Sequence, residues 1–278
     1  MARRYTPLWL LGVPLLFFAA FFLAPLSVVA VASLTQAAGG LTFANYAHIL
    51  ADRYHWDVIA VTFRIGVATT AICILLGYPL AWYLVRIVQW PLWRRVCVIV
   101  LVVPLFTSNI VRSFGWMVML GRNGMVNDAL MGVGLIERPM RFLGTELGIL
   151  IGMVYVLLPF VVLAVGNALA RVDLACEQAS SDLGASPAAT FMHVTFPLTL
   201  PGVVAGAIMV FTLAVSAYVT PALLSGGRIS VLSMLIFQQY SSVFDFHYGG
   251  ALSIVLLVFT LIMVALAGRI GVPAGSAR

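Results

Sequence analysis

The chain has 278 residues, 63% of them hydrophobic and 9% charged, with a formal net charge of +6; soluble domains carry roughly 25% charged residues, so a soluble fold is excluded and a polytopic membrane protein is expected. All 15 basic residues are Arg. Without lysine there is neither a P-loop lysine nor a Schiff-base lysine, and any ATP chemistry has to come from a partner.

A membrane helix needs about 20 apolar residues, and charge-poor stretches of that length predict six spans. The first covers about 8–34, behind Arg3 and Arg4, and is too long for the apolar region of a signal peptide, so it is read as a retained span. Residues 36–57 mix Gly, aromatic and charged residues and suit an exposed loop with a short interfacial helix. The second span, about 62–85, has Arg64 at its start and Gly77 and Pro79 inside, an invitation to kink. Arg86, Arg94 and Arg95 then enclose a tryptophan-bearing loop suited to lipid headgroups.

The third span, about 96–120, contains Arg112. A cation at mid-bilayer is costly and marks a functional candidate, whereas near the outer end it can snorkel; both readings stay open. Residues 121–146 are polar apart from one short apolar run, read as a helix at the outer mouth. The fourth span, about 147–169, is interrupted by Tyr155, Pro159 and Asn167. The fifth, about 200–223, is entered through Pro201, and Gly202-x-x-x-Gly206 allows close helix packing. Residues 225–248 hold an apolar run too short to span, fit to re-enter or line a mouth, and the sixth span covers about 249–268. One all-α domain, 1–278, is expected.

Cys73, Cys97 and Cys176 and the scattered His48, His55, His193 and His247 form no metal or disulfide spacing, so neither metal nor cofactor is expected. No basic aromatic array suggests nucleic acid. Arg3, Arg4, Arg86, Arg94, Arg95, Arg171, Arg269 and Arg278 would face one side, against Arg53, Arg122, Arg138, Arg141 and Arg228 on the other. The positive-inside rule then puts both termini in the cytoplasm.

The loop 171–197 between spans four and five reads as two short helices with marked ends. Asp173 caps the first, Leu174–Leu183, and Gly184 ends it; Ser186-Pro187 caps and starts the second. Ala175, Ala179 and Leu183 form a narrow stripe beside Glu177, Gln178 and Asp182, against which a second protein can lie. The second helix offers Phe191 and Val194, and Pro197 and Pro201 stop or bend it.

Gly184, nine further residues, and Val194-x-Phe196-Pro197 resemble the cytoplasmic coupling loop of ABC importer permeases, whose pattern is Glu-Ala-Ala, three residues, Gly, nine residues, Ile-x-Leu-Pro. Gln178 stands where that pattern has Glu, with Ala179 and Ser180 for its alanines, and Glu177 is one position early. Asp182–Pro187, Ala217–Gly227 and Asn123–Pro139 are most similar to permeases of the spermidine/putrescine type. The resemblance implies a type I importer permease in the inner (plasma) membrane, partnered by an ABC ATPase dimer, a second and paralogous permease, and a periplasmic or extracellular solute-binding protein. It assigns ATPase coupling to Glu177, Gln178, Ala179, Asp182, Gly184, Phe191 and Pro197. The implied solute is a polyamine or related amine, while related permeases carry opines or phosphonates.

Weaker candidates for the translocation pathway are Arg112, Trp116, Tyr218 and Tyr240. The aromatic three fit cation–π contact with an amine or an interfacial belt. An ion-driven secondary transporter would need acidic residues deep in the spans, and the sequence has none there. A membrane-embedded enzyme would need a motif such as HExxH or GxSxG, also lacking, so no enzymatic activity is expected.

Overall fold

A computed structural model describes residues 6–35, 40–88 and 90–270, with side chains from residue 12 to residue 269. Arg3, Arg4 and Arg278, used above for orientation, lie outside the described residues. Among the described residues five helical stretches are long and apolar enough to cross a membrane: Gly12–Ser33, Arg53–Ile87, Glu146–Arg171, Pro187–Ser216 and Phe246–Arg269; a bent pair, Pro91–Phe106 with Asn109–Met119, makes six if it counts as one span. No strand occurs among the described residues, only an isolated bridge between Thr35 and Leu41.

The chain divides into two compact units. In the first, residues 1–57 and 232–259, the N-terminal helices α1 (Thr6–Phe18) and α2 (Ala24–Ser33) are joined by a π turn. The short helix α3 (Ala44–Ala51) sits beside them through a Ser33 to Tyr46 hydroxyl contact of 2.7 Å. In the crossing Gly12–Ser33 every residue from 12 to 28 is exposed, as expected of a helix that faces lipid or another chain.

The second unit, residues 58–231 and 260–278, takes in most of α4 (Arg53–Trp82) and its π-turn end Tyr83–Ile87. The other elements are α5 (Pro91–Val102), α6 (Asn109–Met119), α7 (Met125–Gly132), α8 (Glu146–Arg171), α9 (Leu174–Asp182), α10 (Pro187–Thr190), α11 (Phe196–Ser216) and α12 (Val219–Leu224). Helix α13 (Leu232–Gln238) and α14 (Phe246–Ile270) as far as Phe259 belong to the first unit, and the rest of α14 to the second. The most extensive helix pair is α8 with α11. Small residues make that approach possible: a Cβ on Gly202 would stand 2.3 Å from Ala168 Cβ, and one on Gly206 3.2 Å from Ala164 Cβ. Val161, Val165 and Val210 fill the same region and are fully buried.

Three span boundaries differ from expectation. The second crossing begins at Arg53 rather than near residue 62, because 53–57 joins the helix instead of the preceding loop. The third, expected as one span over 96–120, is broken: α5 runs into a 3-10 turn, Val103–Phe106, and α6 departs at 100°. Pro104 lacks the N–H needed to continue α5, and Thr107 and Ser108 are not helical. The fifth, expected over 200–223 with Pro201 at its entrance, is instead continuous from Pro187 to Ser216. Its two internal prolines are absorbed by a π turn, Phe191–Thr195, and by Thr199 Oγ1, which reaches the Thr195 and Phe196 carbonyls at 3.0 Å each. The helix stops at Ser216 because Ala217 is extended, and α12 follows as a separate piece.

Candidate functional site

The loop between α8 and α11 has the local structure its sequence specifies. Asp173 Oδ1 accepts from the Ala175 N–H at 2.9 Å, which satisfies one free donor at the start of α9. At its end the Gly184 N–H bonds the Ser181 carbonyl and the Ala185 N–H bonds the Ser180 carbonyl, at 2.9 and 3.1 Å. This is a Schellman cap, and it requires the left-handed φ of +83° that Gly184 adopts. Ser186 Oγ then accepts from the Ala189 N–H at 3.3 Å to start α10.

Those ends leave α9 with two different faces. Ala175, Gln178, Ala179, Asp182, Leu183 and Gly184 are exposed, with Leu183 at 89% of its full area, an apolar side chain that nothing among the described residues covers. Pro197, in the first turn of α11, is exposed as well. Glu177 faces the other way. Arg86, at the end of the second crossing, donates through Nη2 to Glu177 Oε1 at 2.8 Å and to the Val172 carbonyl at 3.3 Å. The buried Thr195 hydroxyl donates to the same carboxylate oxygen at 3.1 Å. Only 13% of the Arg86 side chain and 19% of that of Glu177 remain accessible, so the pair is largely withdrawn from water. Phe191 also points inward, its ring 5.3 Å from Trp82 and 5.7 Å from Tyr78. Of the seven residues assigned to ATPase coupling, Glu177 and Phe191 attach the loop to the bundle, and the others are exposed.

Arg86 was legible only as a charge flanking a span; its pairing with an acid 91 residues away has no signature in local sequence. The Tyr78 hydroxyl, 2.9 Å from Thr199 Oγ1, adds a second buried tie between α4 and the start of α11.

The pathway candidates separate. Arg112 and Tyr218 line one cavity of about 440 Å³, bounded by α6, the middle of α8, the end of α11 and the start of α12. The two breaks, at 107–108 and 217–218, converge there, and Ser113 Oγ lies 3.1 Å from Thr220 Oγ1 to tie α6 to α12. Counting 14 residues from Leu157 to Arg171 places the cavity about 21 Å along α8 from the coupling loop. Trp116 is elsewhere, edge-on to Tyr155 at 5.4 Å. Tyr240 belongs to the other unit, 5.7 Å from Phe246. Arg64, the other cation near a span, pairs with Glu146.

No family model matches the chain. It is 32% identical over 228 residues to the spermidine/putrescine transport system permease protein PotB of Salmonella typhimurium strain LT2, covering 82% of this chain and 78% of that protein. It is also 32% identical over 253 residues to PotB of Haemophilus influenzae, covering 88% and 86%. The chain belongs to the spermidine/putrescine-type family of ABC importer permeases. The fold agrees. A bacterial alginate ABC transporter, crystallised with a pentasaccharide-bound periplasmic protein, contains a chain that superposes with a TM-score of 0.80 at 16% identity, over 96% of this chain and 94% of that one. As an ABC permease this chain is a multi-pass inner-membrane transport subunit and not an enzyme.

Proposed function

We propose that this permease carries a polyamine, or a closely related small organic amine, in a complex with an ABC ATPase dimer, a second and paralogous permease and an extracytoplasmic binding protein. Its 32% identity to spermidine/putrescine permeases over four fifths of the chain supports the solute class. The carrying observation for coupling is the two-faced helix α9, exposed through Ala175, Gln178, Ala179, Asp182 and Leu183 and anchored through Glu177 to Arg86. Closing ATPases displace α9; the Arg86–Glu177 pair and the unbroken helix 187–216 pass that displacement to the second and fifth crossings, the fifth of which ends at the cavity around Arg112. The whole chain acts as one permease domain, with both termini and loop 171–197 in the cytoplasm and 35–57, 121–146 and 225–248 outside.

The test is uptake by the complete importer in proteoliposomes loaded with ATP and supplied with the binding protein. ATP-dependent uptake of labelled spermidine or putrescine is expected, with no competition from an aminophosphonate or opine. Competition by either at equal concentration, or uptake without ATP, overturns the reading. For orientation, a cysteine replacing Ala188, with Cys73, Cys97 and Cys176 removed, should react with a membrane-impermeant reagent only after the membrane is opened. Labelling of intact cells would reverse the topology.

A further inference from the structure

The walls of the cavity between the two helix breaks carry a single charge. Arg112 projects from α6, while the other polar groups there, among them Asn109, Ser216, Tyr218 and Thr220, are neutral, and no carboxylate lines the space. The guanidinium is poorly satisfied. Its Nη2 donates to Asn109 Oδ1, but Nε and Nη1 are buried and meet no acceptor among the described residues. A guanidinium has only donors and cannot shed its proton to relieve the deficit, as a buried lysine can. No carboxylate among the described residues that line the cavity offsets its charge.

A protonated amine is a poor occupant of such a space. It too has only donors, so it offers the guanidinium no acceptor, and it carries the same sign of charge. At an effective dielectric of about 20, a like charge held at about 6 Å lowers the occupancy of a monovalent cation by roughly a hundredfold. The barrier rises with each further charge on a polyamine. Inorganic cations meet the same barrier, which is how a fixed cation in a narrow pore excludes them. The position suits a device that moves: Arg112 sits one turn into α6 beyond the 100° bend, and α6 is tied to α12 by the Ser113–Thr220 contact.

We propose that Arg112 is a cation filter at mid-pathway, a fixed positive charge that closes the resting permease to potassium and to free amines until ATP-driven rearrangement moves α6. The proposal rests on the reading that this cavity belongs to the translocation pathway. It does not depend on which solute is carried, because its readout is the leak of an inorganic ion.

The experiment uses the complete importer reconstituted without ATP, comparing wild type, Arg112→Gln and Arg112→Lys by potassium flux and by passive putrescine entry. Wild type and Arg112→Lys should be tight, and Arg112→Gln should leak at least about tenfold faster to both, with the second permease and ATPase still co-purifying. Equal tightness of Arg112→Gln and wild type overturns the filter. So does loss of the second permease from Arg112→Gln, which would place the missing acceptor on that subunit. A rise in KM for a carboxylate- or phosphonate-bearing amine in Arg112→Gln, without a leak, also overturns it and marks an anion subsite. Failure of the solute reading appears separately, as a wild-type complex that is tight to potassium but takes up no polyamine with ATP.

Discussion

The α8·α11 pair and the α9–α10 loop adjoin in the chain but are held in opposite ways. Between α8 and α11 the contact is continuous and apolar, with Gly202 and Gly206 letting the backbones approach and valines filling the remaining space. In lipid such an interface persists through van der Waals packing, because water is not there to drive it. Helix α9 buries no residue; its ends are made by hydrogen bonds, and its attachment is a charged tie with two neutral helpers. Packing of the first kind resists displacement everywhere at once, whereas a small helix on a polar tie can be pushed as a body and transmit the push through that tie and the helix that follows. A damaged core should therefore cost the folded subunit, and a damaged loop should cost transport alone.

The largest expected effect is on the packed side. Gly202→Val drives side-chain atoms into Ala168 and towards the Ala164 carbonyl, at a cost of about 3 kcal/mol or more. Folded protein recovered from membranes should fall severalfold and its melting temperature in detergent should drop. Normal yield with normal melting would mean that the pair repacks freely, and the contrast would fail.

Next comes the tie. Glu177→Ala strands the Arg86 guanidinium with the Val172 carbonyl as its remaining partner, a local loss of about 2 kcal/mol. Yield and ATPase binding should be near normal, but uptake per ATP hydrolysed should fall at least about fivefold. The double exchange Arg86→Glu with Glu177→Arg should recover part of it; uptake unaffected by Glu177→Ala would remove the tie from the transmission route.

A smaller strain is expected at Gly184. Open space surrounds a Cβ there, so Gly184→Val suffers only from its φ of +83°, worth about 1–2 kcal/mol, and α9 should be misdirected without loss of insertion. Uptake and ATPase co-purification should both decline. Gly132, with open space and no positive φ, serves as the control. Normal uptake with the ATPase retained in Gly184→Val would refute a coupling role for that residue.

The least effect is expected of Asp173→Ala, which removes the N-cap of α9 at about 1 kcal/mol. Uptake should fall by no more than about twofold, and Asp173→Asn or Asp173→Ser should restore it. A loss as large as that of Glu177→Ala would show that the end of the helix, rather than its tie, sets the coupling.

Most of the coupling loop was legible because its determinants are local. Asp173, Gly184, Ser186 and Pro187 act on backbone groups within a few residues of themselves, so their types and spacing carry the structure directly. Hydropathy likewise placed the crossings to within a few residues where the chain is simply apolar, as over Glu146–Arg171. It failed where a polar group or a proline changes meaning with its surroundings. Pro201 reads as a boundary and is an interior residue, because a π turn and the Thr199 hydroxyl accommodate the disruption upstream. Pro104 sits within an apolar run that reads as one span, and there the helix does break.

By itself the sequence determined that this protein crosses the membrane several times, that it has no lysine to hold a nucleotide, and that a capped helix pair separates two crossings. Each of these depends on composition or on neighbours along the chain. Only the tertiary structure decided that Glu177 turns inward to Arg86 while Gln178 and Ala179 face out, and that breaks more than a hundred residues apart meet around Arg112. Partners so distant in sequence are selected by packing and by the need to satisfy charge away from water, and no local pattern records that choice.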